Sequence, residues 1–422
     1  MTHACFYPAD ISLPDFKSPA VDGCRWSCVA CDQYTSQPEY WEAADRLVGD
    51  APSTLRLILP EVYLEDAEAR IPAIRAAMND YLQSILVTRP DSMIYVERTL
   101  ADGSLRRGLV GMVDLAAYDY RPGSDALIRA TEKTVPERVP PRMVIRQGAP
   151  VELPHVMLLI DDRARTVIEP LTGACTEVAY DHDLMQNSGH IKGYWVDKDV
   201  QTKVLHALDA LITPEAMTAR YGREGLAPLL FAVGDGNHSL AAAKACYDAV
   251  VAEIGVVAAA THPARYALAE VVNLYDDSLN FEPIYRVIFG VDPASVTADF
   301  KTYAAALSGD AAPQSVRILY GGTHDETVTV PSPVSGLAVG TVQQFLDAYL
   351  PTLPGASVDY IHGEDVTAEL SARPGAIAFL YNGMEKEELF STVISDGSLP
   401  RKTFSMGHAA DKRFYTEVRK IR

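Results

Sequence analysis

The chain has no long hydrophobic run. Its longest apolar stretches, such as residues 251–260, are too short and too interrupted to cross a bilayer. The first ten residues, MTHACFYPAD, lack the basic start and apolar core of a secretion signal. We therefore expect a cytoplasmic protein that has no membrane partner.

Basic residues are scarce. The chain carries 37 Lys and Arg against 56 Asp and Glu, which gives a formal net charge of −19, and no run of basic residues interrupts this acidity. A surface of this sign repels phosphate backbones and anionic lipids. The composition therefore argues against a nucleic-acid partner and favours a small-molecule substrate, while it leaves the oligomeric state open.

Cysteine is sparse, with 6 in 422 residues. In a reducing compartment such cysteines are usually free thiols. The spacing of Cys24, Cys28 and Cys31 occurs in some loops that bind iron–sulfur clusters, but no fourth ligand stands nearby. Free thiols are the favoured interpretation, and no haem, flavin or zinc site is indicated. The sequence also lacks a P-loop, a GxGxxG fingerprint, a GxSxG elbow and an HExxH helix.

What is present is typical of a large globular protein. Hydrophobic residues make up 48% of the chain and charged residues 22%, and 422 residues are enough for two domains. Residues 292–313 are poor in aromatics and rich in Ala, Asp and Ser, so we place the boundary just before them. We expect an α/β domain at 1–290 that carries the candidate site and a second α/β domain at 291–422. A mixed α+β arrangement is possible, with mixed sheets flanked by helices.

Local patterns predict individual elements. Helical periodicity predicts helices at 65–87, 199–221 (interrupted by Pro214), 239–252 and 386–394. Runs rich in β-branched, aromatic and other apolar residues predict strands at 55–59, 92–99, 108–118, 156–160, 228–233, 266–274 and 376–381. Three prolines between residues 128 and 146 argue against one continuous helix there.

The strongest local signal is a strand–turn–helix pattern in LLFAVGDGNHSLAAAK (229–244). Gly234 and Gly236 allow the backbone to approach a ligand closely, and the start of a helix attracts anions. Asp235 is a candidate metal ligand and catalytic residue. His238 is a candidate for contact with a phosphate or for proton transfer.

The same turn can be explained by architecture alone. Strand-to-helix turns commonly need glycine for a positive φ and Asn or Ser as the helix cap. Asn237 would then cap the helix, and His238 would bond to a neighbouring carbonyl. Both interpretations stay open on the pattern itself.

Segments along most of the chain resemble the domain-of-unknown-function 1015 family. The turn at 234–239 is similar to that family's D-G-H-H-R segment, and VACDQYTSQPEYW (29–41) resembles its P-Y-D region, with Asp32 at the acidic position. Three further segments resemble family segments: TEKTVPERVPPRMVIR (131–146) resembles its H-E-x-T segment, GHIKGYW (189–195) its H-x-x-W segment, and LPRKTFSMG (399–407) its P-x-K-S-T segment.

The chain departs from that pattern at the turn itself. Residues 237–239 are Asn-His-Ser where the family has His-His-Arg, and Thr131 stands where the family often has His. The missing Arg removes the best fork for a phosphate, so anion contacts would come from His238, backbone N–H groups or other arginines.

The turn is also similar to the nucleotide-binding loop of the ParB and sulfiredoxin superfamily, which includes free serine kinases. This resemblance implies a ParB/sulfiredoxin-like unit around residues 229–252. It also implies that nucleotide phosphates lie at the start of the helix at 239–252.

The family segments point to further candidates. Asp32 could act as a general base or be a turn residue, His190 could line a pocket or satisfy the core, and Lys402 could reach a phosphate or lie in an exposed loop. The candidates for binding substrate or phosphate are Arg129, Glu132, Thr134, His190, Gly234, Gly236, Asn237, Ser239 and Lys402. Arg138, Arg142 and Arg146 are expected to be structural, in surface ion pairs.

The leading hypothesis is a nucleotide-dependent phosphotransferase that acts on a small hydroxyl-bearing metabolite, in the manner of a free serine kinase. Asp235, with Glu132, would hold Mg²⁺ beside the phosphates of ATP or ADP. His238 and Arg129 would neutralise developing charge, and Asp32 would accept the substrate proton.

Two alternatives are carried forward. One is a nucleotide-binding or sensing module without chemistry, which the loss of the family Arg at Ser239 favours. The other is a metal-assisted hydrolase of a small phosphorylated or acylated compound, in which His238 and Asp235 act on a water.

Overall fold

The protein was analysed as a computed structural model, which describes residues 5–134, 137 and 139–422. The strands are β1 (Phe6–Tyr7), β2 (Ala9–Pro14), β3 (Cys28–Val29), β4 (Leu86–Ser92), β5 (Ile94–Thr99), β6 (Leu105–Asp114), β7 (Tyr118–Asp119), β8 (Ile128–Ala130), β9 (Val151–Glu152), β10 (Met157–Ile160), β11 (Glu177–Asp183), β12 (His190–Trp195), β13 (Phe231–Asp235), β14 (Tyr266–Asn273), β15 (Phe281–Phe289), β16 (Gln314–Tyr320), β17 (His324–Val330), β18 (Ser357–His362), β19 (Ala376–Leu380), β20 (Phe404–Met406), β21 (Phe414–Tyr415) and β22 (Val418–Lys420). The α-helices are α1 (Gly23–Trp26), α2 (Pro38–Val48), α3 (Ala67–Ser84), α4 (Val139–Arg146), α5 (Lys198–Leu211), α6 (Pro214–Tyr221), α7 (Asn237–Ile254), α8 (Val256–Ala259), α9 (Pro293–Ala306), α10 (Ala338–Tyr349), α11 (Glu364–Ser371) and α12 (Lys386–Asp396).

The chain divides into two compact units. The first contains the described residues up to Leu279 together with His408–Arg422, and the second contains Asn280–Gly407. The second unit is therefore an insertion in the sequence of the first. This division differs from the expected one at 290/291 in two places, because β15 belongs wholly to the second unit and residues 408–422 belong to the first.

A mixed sheet of ten strands forms the centre of the first unit. Its strand order is β11-β12-β5-β6-β14-β10-β13-β8-β7, with β1 paired to β6. The pairs β10–β14, β13–β8 and β7–β8 are parallel, whereas β10–β13 and β6–β14 are antiparallel. The predicted α/β class with mixed sheets flanked by helices is therefore confirmed.

Side-chain alternation along the strands builds a core on each face of this sheet. On β5, Tyr95 joins one core with Leu240 and Tyr247 of α7, while Ile94 and Val96 join the other core with Trp41 of α2. Full burial of one such aliphatic side chain stabilises the fold by roughly 1.5–3 kcal/mol. The site-bearing helix α7 is thus fixed along its length by the first core.

Residues 408–422 pair with the earliest strands of the chain. β21 is antiparallel to β3, and β22 lies between β2 and β9 in a four-stranded sheet of order β4-β2-β22-β9. Trp26 donates its indole N–H to the carbonyl of Thr416 at 2.9 Å, which ties α1 to the same segment. The C-terminal strands are therefore part of the first unit's interior.

The second unit is an antiparallel sheet with helices. Its strand order is β17-β16-β19-β15-β18, with β20 paired to β15. Its core includes edge-to-face contacts of Phe300 with Phe345 and Phe379, whose ring centroids lie 5.2 and 5.1 Å away.

Most predicted elements are present, with one clear exception. The predicted strand at 55–59 is wrong, because residues Thr54–Leu57 form a 3₁₀ turn. Ser53 caps this turn by accepting the N–H of Leu55, and Thr54 donates its hydroxyl to the Trp26 carbonyl at 2.8 Å. A short buried apolar run fits either conformation, and here the side-chain hydrogen bonds select the turn.

The predicted helix at 65–87 is shorter than expected, because α3 ends at Ser84 and β4 begins at Leu86. The prolines of residues 128–146 do separate two elements, β8 and α4. In the part of the chain that the structure describes, every helix is too short or too polar to cross a bilayer.

Candidate functional site

The predicted strand–turn–helix is present around Gly236. β13 ends at Asp235, α7 begins at Asn237, and Gly236 joins them with a φ of 82°. A Cβ atom on Gly236 would lie 3.1 Å from the Cα of Val156 and 3.2 Å from the ring of His155. Glycine is needed here both for the left-handed conformation and because the loop before β10 packs directly on the turn.

The start of α7 carries no side-chain cap among the described residues. The cap position is occupied by Gly236, so the interpretation of Asn237 as the cap is wrong. Asn237 is instead the first helical residue and donates its side-chain amide to the Thr131 hydroxyl at 3.4 Å. The first turn of α7 keeps the N–H groups and the positive dipole end that favour an anion.

The neighbouring strand β8 brings Glu132 to the same edge of the sheet. β8 is parallel to β13, with Ala130 opposite Val233, and the Thr131 hydroxyl donates to the Val233 carbonyl at 2.7 Å. Glu132 follows the last paired residue of β8 by two positions, as Asp235 follows Val233 on β13. The joint binding of a metal ion by Glu132 and Asp235 remains a prediction.

Asp32 follows β3, which is paired with β21. The Ala30 N–H donates to the Arg413 carbonyl at 2.9 Å, and the Cys31 N–H donates to the Tyr415 hydroxyl at 3.3 Å. Arg413 is itself fixed between Glu270 and Glu417, at 2.6 and 2.5 Å. This buried pairing holds the short segment from Lys412 to Tyr415 in place.

Lys412 forms an ion pair with one of the two predicted catalytic carboxylates. Its ammonium lies 3.3 Å from Oδ2 of Asp235, and its charge also acts on Asp32. Burial by itself would raise the pKa of Asp32, but His155, a hydrogen bond from Gln33, and the charge of Lys412 together bring that pKa below its ordinary value. Asp32 is therefore an ionised carboxylate at neutral pH.

His155 forms the wall of the site opposite the helix. It is 7% exposed, and its Nε2 lies 2.8 Å from the Ser239 hydroxyl while its Nδ1 lies 2.6 Å from the Tyr415 hydroxyl. Ser239 belongs to the first turn of α7. We call the set Asp32, His155, Asp235, Ser239 and Lys412 the turn site.

Arg142 borders the turn site from α4, which packs against α7 through Val139 and Ala242. Its guanidinium is paired with Glu61, and its charge acts on Asp32. Burial raises the pKa of Glu61 although Arg142 opposes this shift. The predicted ion pairing of Arg142 is present, but the pair is largely buried rather than at the surface, and Arg142 lines the cavity beside the site.

A cavity of about 150 Å³ opens beside the turn site. One part of its wall is polar and includes His155, Ser239 and Tyr415, and the rest is mainly aliphatic. The aliphatic wall includes Leu57, Leu59, Met78, Leu153, Ala243 and Leu268. The ion pairs Arg142–Glu61 and Arg146–Glu152 also line the cavity, which therefore combines a mainly apolar wall with a few polar and charged groups, as small-molecule pockets usually do.

The structure does not bring Arg129 to the turn. Its guanidinium donates to the carbonyls of Ala126, Ala227 and Pro228, which precede β8 and β13. These loops lie at the opposite end of the two strands from Asp235. Arg129 is used to satisfy buried carbonyls there, so its predicted contact with a phosphate is not supported.

His190 is also remote from the turn. It lies on β12, where its ring nitrogens contact Asp181 and Asp183 of β11 at 2.8 Å. Five strand spacings separate β12 from β13 in the sheet order, or about 24 Å at the usual spacing. The ring is held by the β11–β12 hairpin rather than by a pocket at the turn.

The remaining candidates have these positions. Gly234 is the fourth residue of β13, and His238 is the second residue of α7, beside Ser239. Thr134 is 7% exposed and follows β8. Lys402 belongs to the second unit, where its ammonium lies 5.2 Å from the centre of the Tyr360 ring. Arg138 lies outside the described residues.

Sequence reasoning missed His155, Lys412 and Tyr415. His155 lies in a loop with no periodic pattern, and the other two follow the last segment that resembles the family. The one local signal was the dense run of charged and aromatic residues at 411–420.

Within the described residues, no group of three or more His, Cys, Asp and Glu side chains is placed to hold a metal ion. The cysteines near residue 28 are included in this statement.

Comparison with solved structures gives low-scoring likenesses. A mutant free serine kinase in complex with AMP is 11% identical, with a TM-score of 0.38 over 74% of this chain and 91% of that one. A conserved hypothetical protein from Pyrococcus furiosus is 10% identical, with a TM-score of 0.34 over 74% and 94% of the two chains. SbnI from Staphylococcus aureus is 10% identical, with a TM-score of 0.34 over 71% and 82%. At these values, none of the three determines the activity of this chain.

Comparison of sequences establishes the family of the chain but assigns it no function. No curated protein matches the chain. The profile of a family described as proteins of unknown function, DUF1015, matches residues 15–349. This range includes Asp32, His155 and the turn, but it ends before Lys412 and Tyr415. Because the match covers well over half of the 422 residues, the chain belongs to the DUF1015 family.

Proposed function

We propose that the protein is a nucleotide-dependent phosphotransferase that acts on a small hydroxyl-bearing metabolite. The observation that carries this proposal is the ion pair of Asp235 with Lys412 directly before the first turn of α7, together with the carboxylate of Asp32, on which the charge of Lys412 also acts. Two carboxylates, a cation and an uncapped helix start are the groups that phosphoryl transfer requires, because the reaction depends mainly on positioning and on stabilising charge.

The phosphates would lie on the turn from Gly234 to Ser239. The N–H groups at the start of α7 and the dipole of the helix favour an anion there. Lys412 supplies the positive charge that the missing family Arg would have supplied, and its side chain is 16% exposed. The cation thus comes from the C-terminal strand segment rather than from the turn.

Asp32 would orient the substrate hydroxyl and accept its proton. Its lowered pKa keeps it ionised at neutral pH, as this role requires. The adjoining cavity of about 150 Å³ gives room for a small organic group of the substrate. A substrate of this size fits the proposal of a metabolite kinase.

Mg²⁺ would be held by Asp235 and Glu132. In nucleotide sites this ion commonly takes one or two carboxylates together with phosphates and waters, so two protein ligands are sufficient. It would supply charge stabilisation at the phosphates. Lys412 beside Asp235 competes for the same carboxylate, so we expect the ion to enter only with its nucleotide.

The first experiment is a thermal-shift screen with ATP, ADP, CTP, GTP and pyrophosphate, each with and without Mg²⁺. A ligand that binds only the folded chain raises the melting temperature by mass action. We expect a Mg²⁺-dependent shift with one nucleotide, which then serves as donor in a screen of hydroxyl-bearing metabolites. Asp235→Asn should abolish turnover and reduce the shift.

Asp80→Asn is the matched control, because Asp80 is exposed on α3. Full turnover in Asp235→Asn would refute the assignment. A nucleotide that binds tightly while every metabolite stays unphosphorylated would favour a binding or sensing module instead.

A further inference from the structure

The serine of the turn has a feature that phosphate binding does not use. The Ser239 hydroxyl lies 2.8 Å from Nε2 of His155, and the other ring nitrogen lies 2.6 Å from the Tyr415 hydroxyl. The His155 ring meets the Tyr415 ring edge-on, with centroids 5.6 Å apart. A hydroxyl, an imidazole and a third group that orients the imidazole form the arrangement of an activated nucleophile.

The surroundings hold the His155 ring in one orientation. His155 is 7% exposed and Tyr415 is 3% exposed, so neither ring can turn freely. Burial raises the pKa of Tyr415 well above its usual value, so its hydroxyl stays neutral. That hydroxyl also hydrogen-bonds to the Cys31 thiol. When it donates its proton to Cys31, it can accept the N–H at Nδ1 of His155, and the other ring nitrogen, Nε2, then faces the Ser239 hydroxyl at 2.8 Å.

The cavity gives this pair a substrate site. Ser239 and His155 lie in the wall of the cavity of about 150 Å³, whose other walls are largely aliphatic. An apolar cavity of comparable size takes up benzene. The aliphatic part of this cavity therefore has room for an acyl chain of roughly four to six carbons, beside the ion pairs Arg142–Glu61 and Arg146–Glu152 that also line it.

The position of Ser239 in the first turn of α7 provides the last requirement, which is a group that stabilises negative charge during the reaction. A carbonyl oxygen that becomes negative during attack by Ser239 would develop its charge near the helix N-terminus, where N–H groups and the dipole stabilise an anion. The nucleophile, its base, an acyl pocket and a positive environment thus occur together.

We infer that Ser239 is a catalytic nucleophile that His155 activates, and that the protein hydrolyses esters of short apolar acids. The Ser239 oxygen attacks the ester carbonyl and its proton passes to Nε2 of His155. The bond to the alcohol oxygen then breaks, and His155 returns the proton to that oxygen. Water then attacks the carbonyl of the acyl-serine and its proton passes to Nε2 of His155. The bond between the acyl carbon and the Ser239 oxygen breaks, His155 returns the proton to that oxygen, and the acid leaves.

This activity needs neither nucleotide nor metal, so its test is separate from that of the phosphotransferase. The whole protein is assayed with p-nitrophenyl butyrate and p-nitrophenyl laurate in the absence of nucleotides and with a chelator. We expect turnover of the butyrate ester, little turnover of the laurate ester, and a loss of roughly 100-fold or more in Ser239→Ala and in His155→Gln.

A second measurement does not depend on turnover. A fluorophosphonate should add covalently to the folded protein, and peptide mass analysis should place the adduct on Ser239. The matched control is Ser27→Ala, because Ser27 also hydrogen-bonds to a histidine, with 3.0 Å between its hydroxyl and His182 Nε2, but does not line the cavity. Ser27→Ala should keep both hydrolysis and labelling.

Undiminished hydrolysis or labelling in Ser239→Ala would overturn the inference. So would a folded wild-type protein that neither reacts with the probe nor hydrolyses the butyrate ester. Circular dichroism of each variant distinguishes a lost nucleophile from a lost fold.

Discussion

At the scale of single residues, the turn site depends on a close approach of backbone to backbone at Gly236. The loop that carries His155 lies against the turn so tightly that a Cβ on Gly236 would meet the Cα of Val156 at 3.1 Å. This contact sets the distance between β13 and the loop before β10, and through it the hydrogen bond of His155 with Ser239.

Replacing Gly236 with alanine should therefore destabilise the protein more than a comparable change elsewhere. The left-handed conformation alone costs an alanine roughly 1–2 kcal/mol. Gly222, at the end of α6, has a φ of 68° and open space where a Cβ would point, so Gly222→Ala measures that cost by itself. Urea unfolding of both variants should show a larger loss of free energy of unfolding for Gly236→Ala. Equal losses would mean that the loop at 155–156 moves aside without cost.

At the scale of elements, Glu152 connects three parts of the first unit. It lies on β9, and its carboxylate contacts Arg419 of β22 at 2.6 Å and Arg146 of α4 at 2.5 Å. It also accepts the N–H of Leu268 on β14 at 2.9 Å. Burial alone would raise the pKa of Glu152, but the two arginines lower it below 4.5.

Glu152→Gln should lower the free energy of unfolding by roughly 3–5 kcal/mol at neutral pH, because it leaves two arginine charges without their shared partner. Because the pKa of Glu152 is lowered in the folded state, its contribution is complete above the ordinary value and is lost as the pH falls through the folded value. The wild type should therefore lose stability below about pH 4.5, and the variant should lose less over the same range. Urea unfolding at several pH values measures both effects.

Asp277→Asn is the control for this prediction, since Asp277 forms an exposed pair with Arg165 in the same unit. That change should cost less than about 1 kcal/mol. A similar loss in the two variants would show that burial of Glu152 with its two arginines adds nothing to the free energy of unfolding.

The elements also show what the sequence could and could not predict. The strand–turn–helix around Gly236 was predictable, because an apolar run, glycines and an alanine-rich helix follow each other directly. The 3₁₀ turn at Thr54–Leu57 was not, since it depends on hydrogen bonds to Trp26.

The same limit applies to the site. Asp32 and Asp235 could be predicted as site residues from local motifs. That the charge of Lys412 acts on both of them could not, because Lys412 is distant from both in the sequence. His155 and Tyr415 are 260 positions apart in the chain, and only the paired strands bring them into contact. No local pattern contains that information. For the same reason Arg129 was misplaced: its motif was correct, but its side chain points to the other end of β8.

At the scale of the whole molecule, the first unit is closed by residues 408–422, which follow the complete sequence of the second unit. β22 lies between β2 and β9, and β21 pairs with β3. A chain that ends at residue 407 should therefore lose protection of the amides in β2 and should bind neither nucleotide nor fluorophosphonate. Amide hydrogen exchange measures the first effect directly.

A chain that lacks only Arg422 is the control, because it keeps β21, β22 and the buried Ile421. It should match the full chain in exchange and in binding. Normal protection of β2 in the chain that ends at residue 407 would show that the first unit closes without its last strands.

The late position of Lys412 and Tyr415 also has a consequence for biosynthesis. Asp32 and the Gly236 turn leave the ribosome long before the residues that complete their surroundings. At roughly 5–20 residues per second, the delay amounts to tens of seconds. During that time β2 and β3 have exposed edges and His155 has no tyrosine to orient it. If the site acts as proposed, a nascent chain should therefore be inactive until the second unit has been translated and the final strands have been inserted.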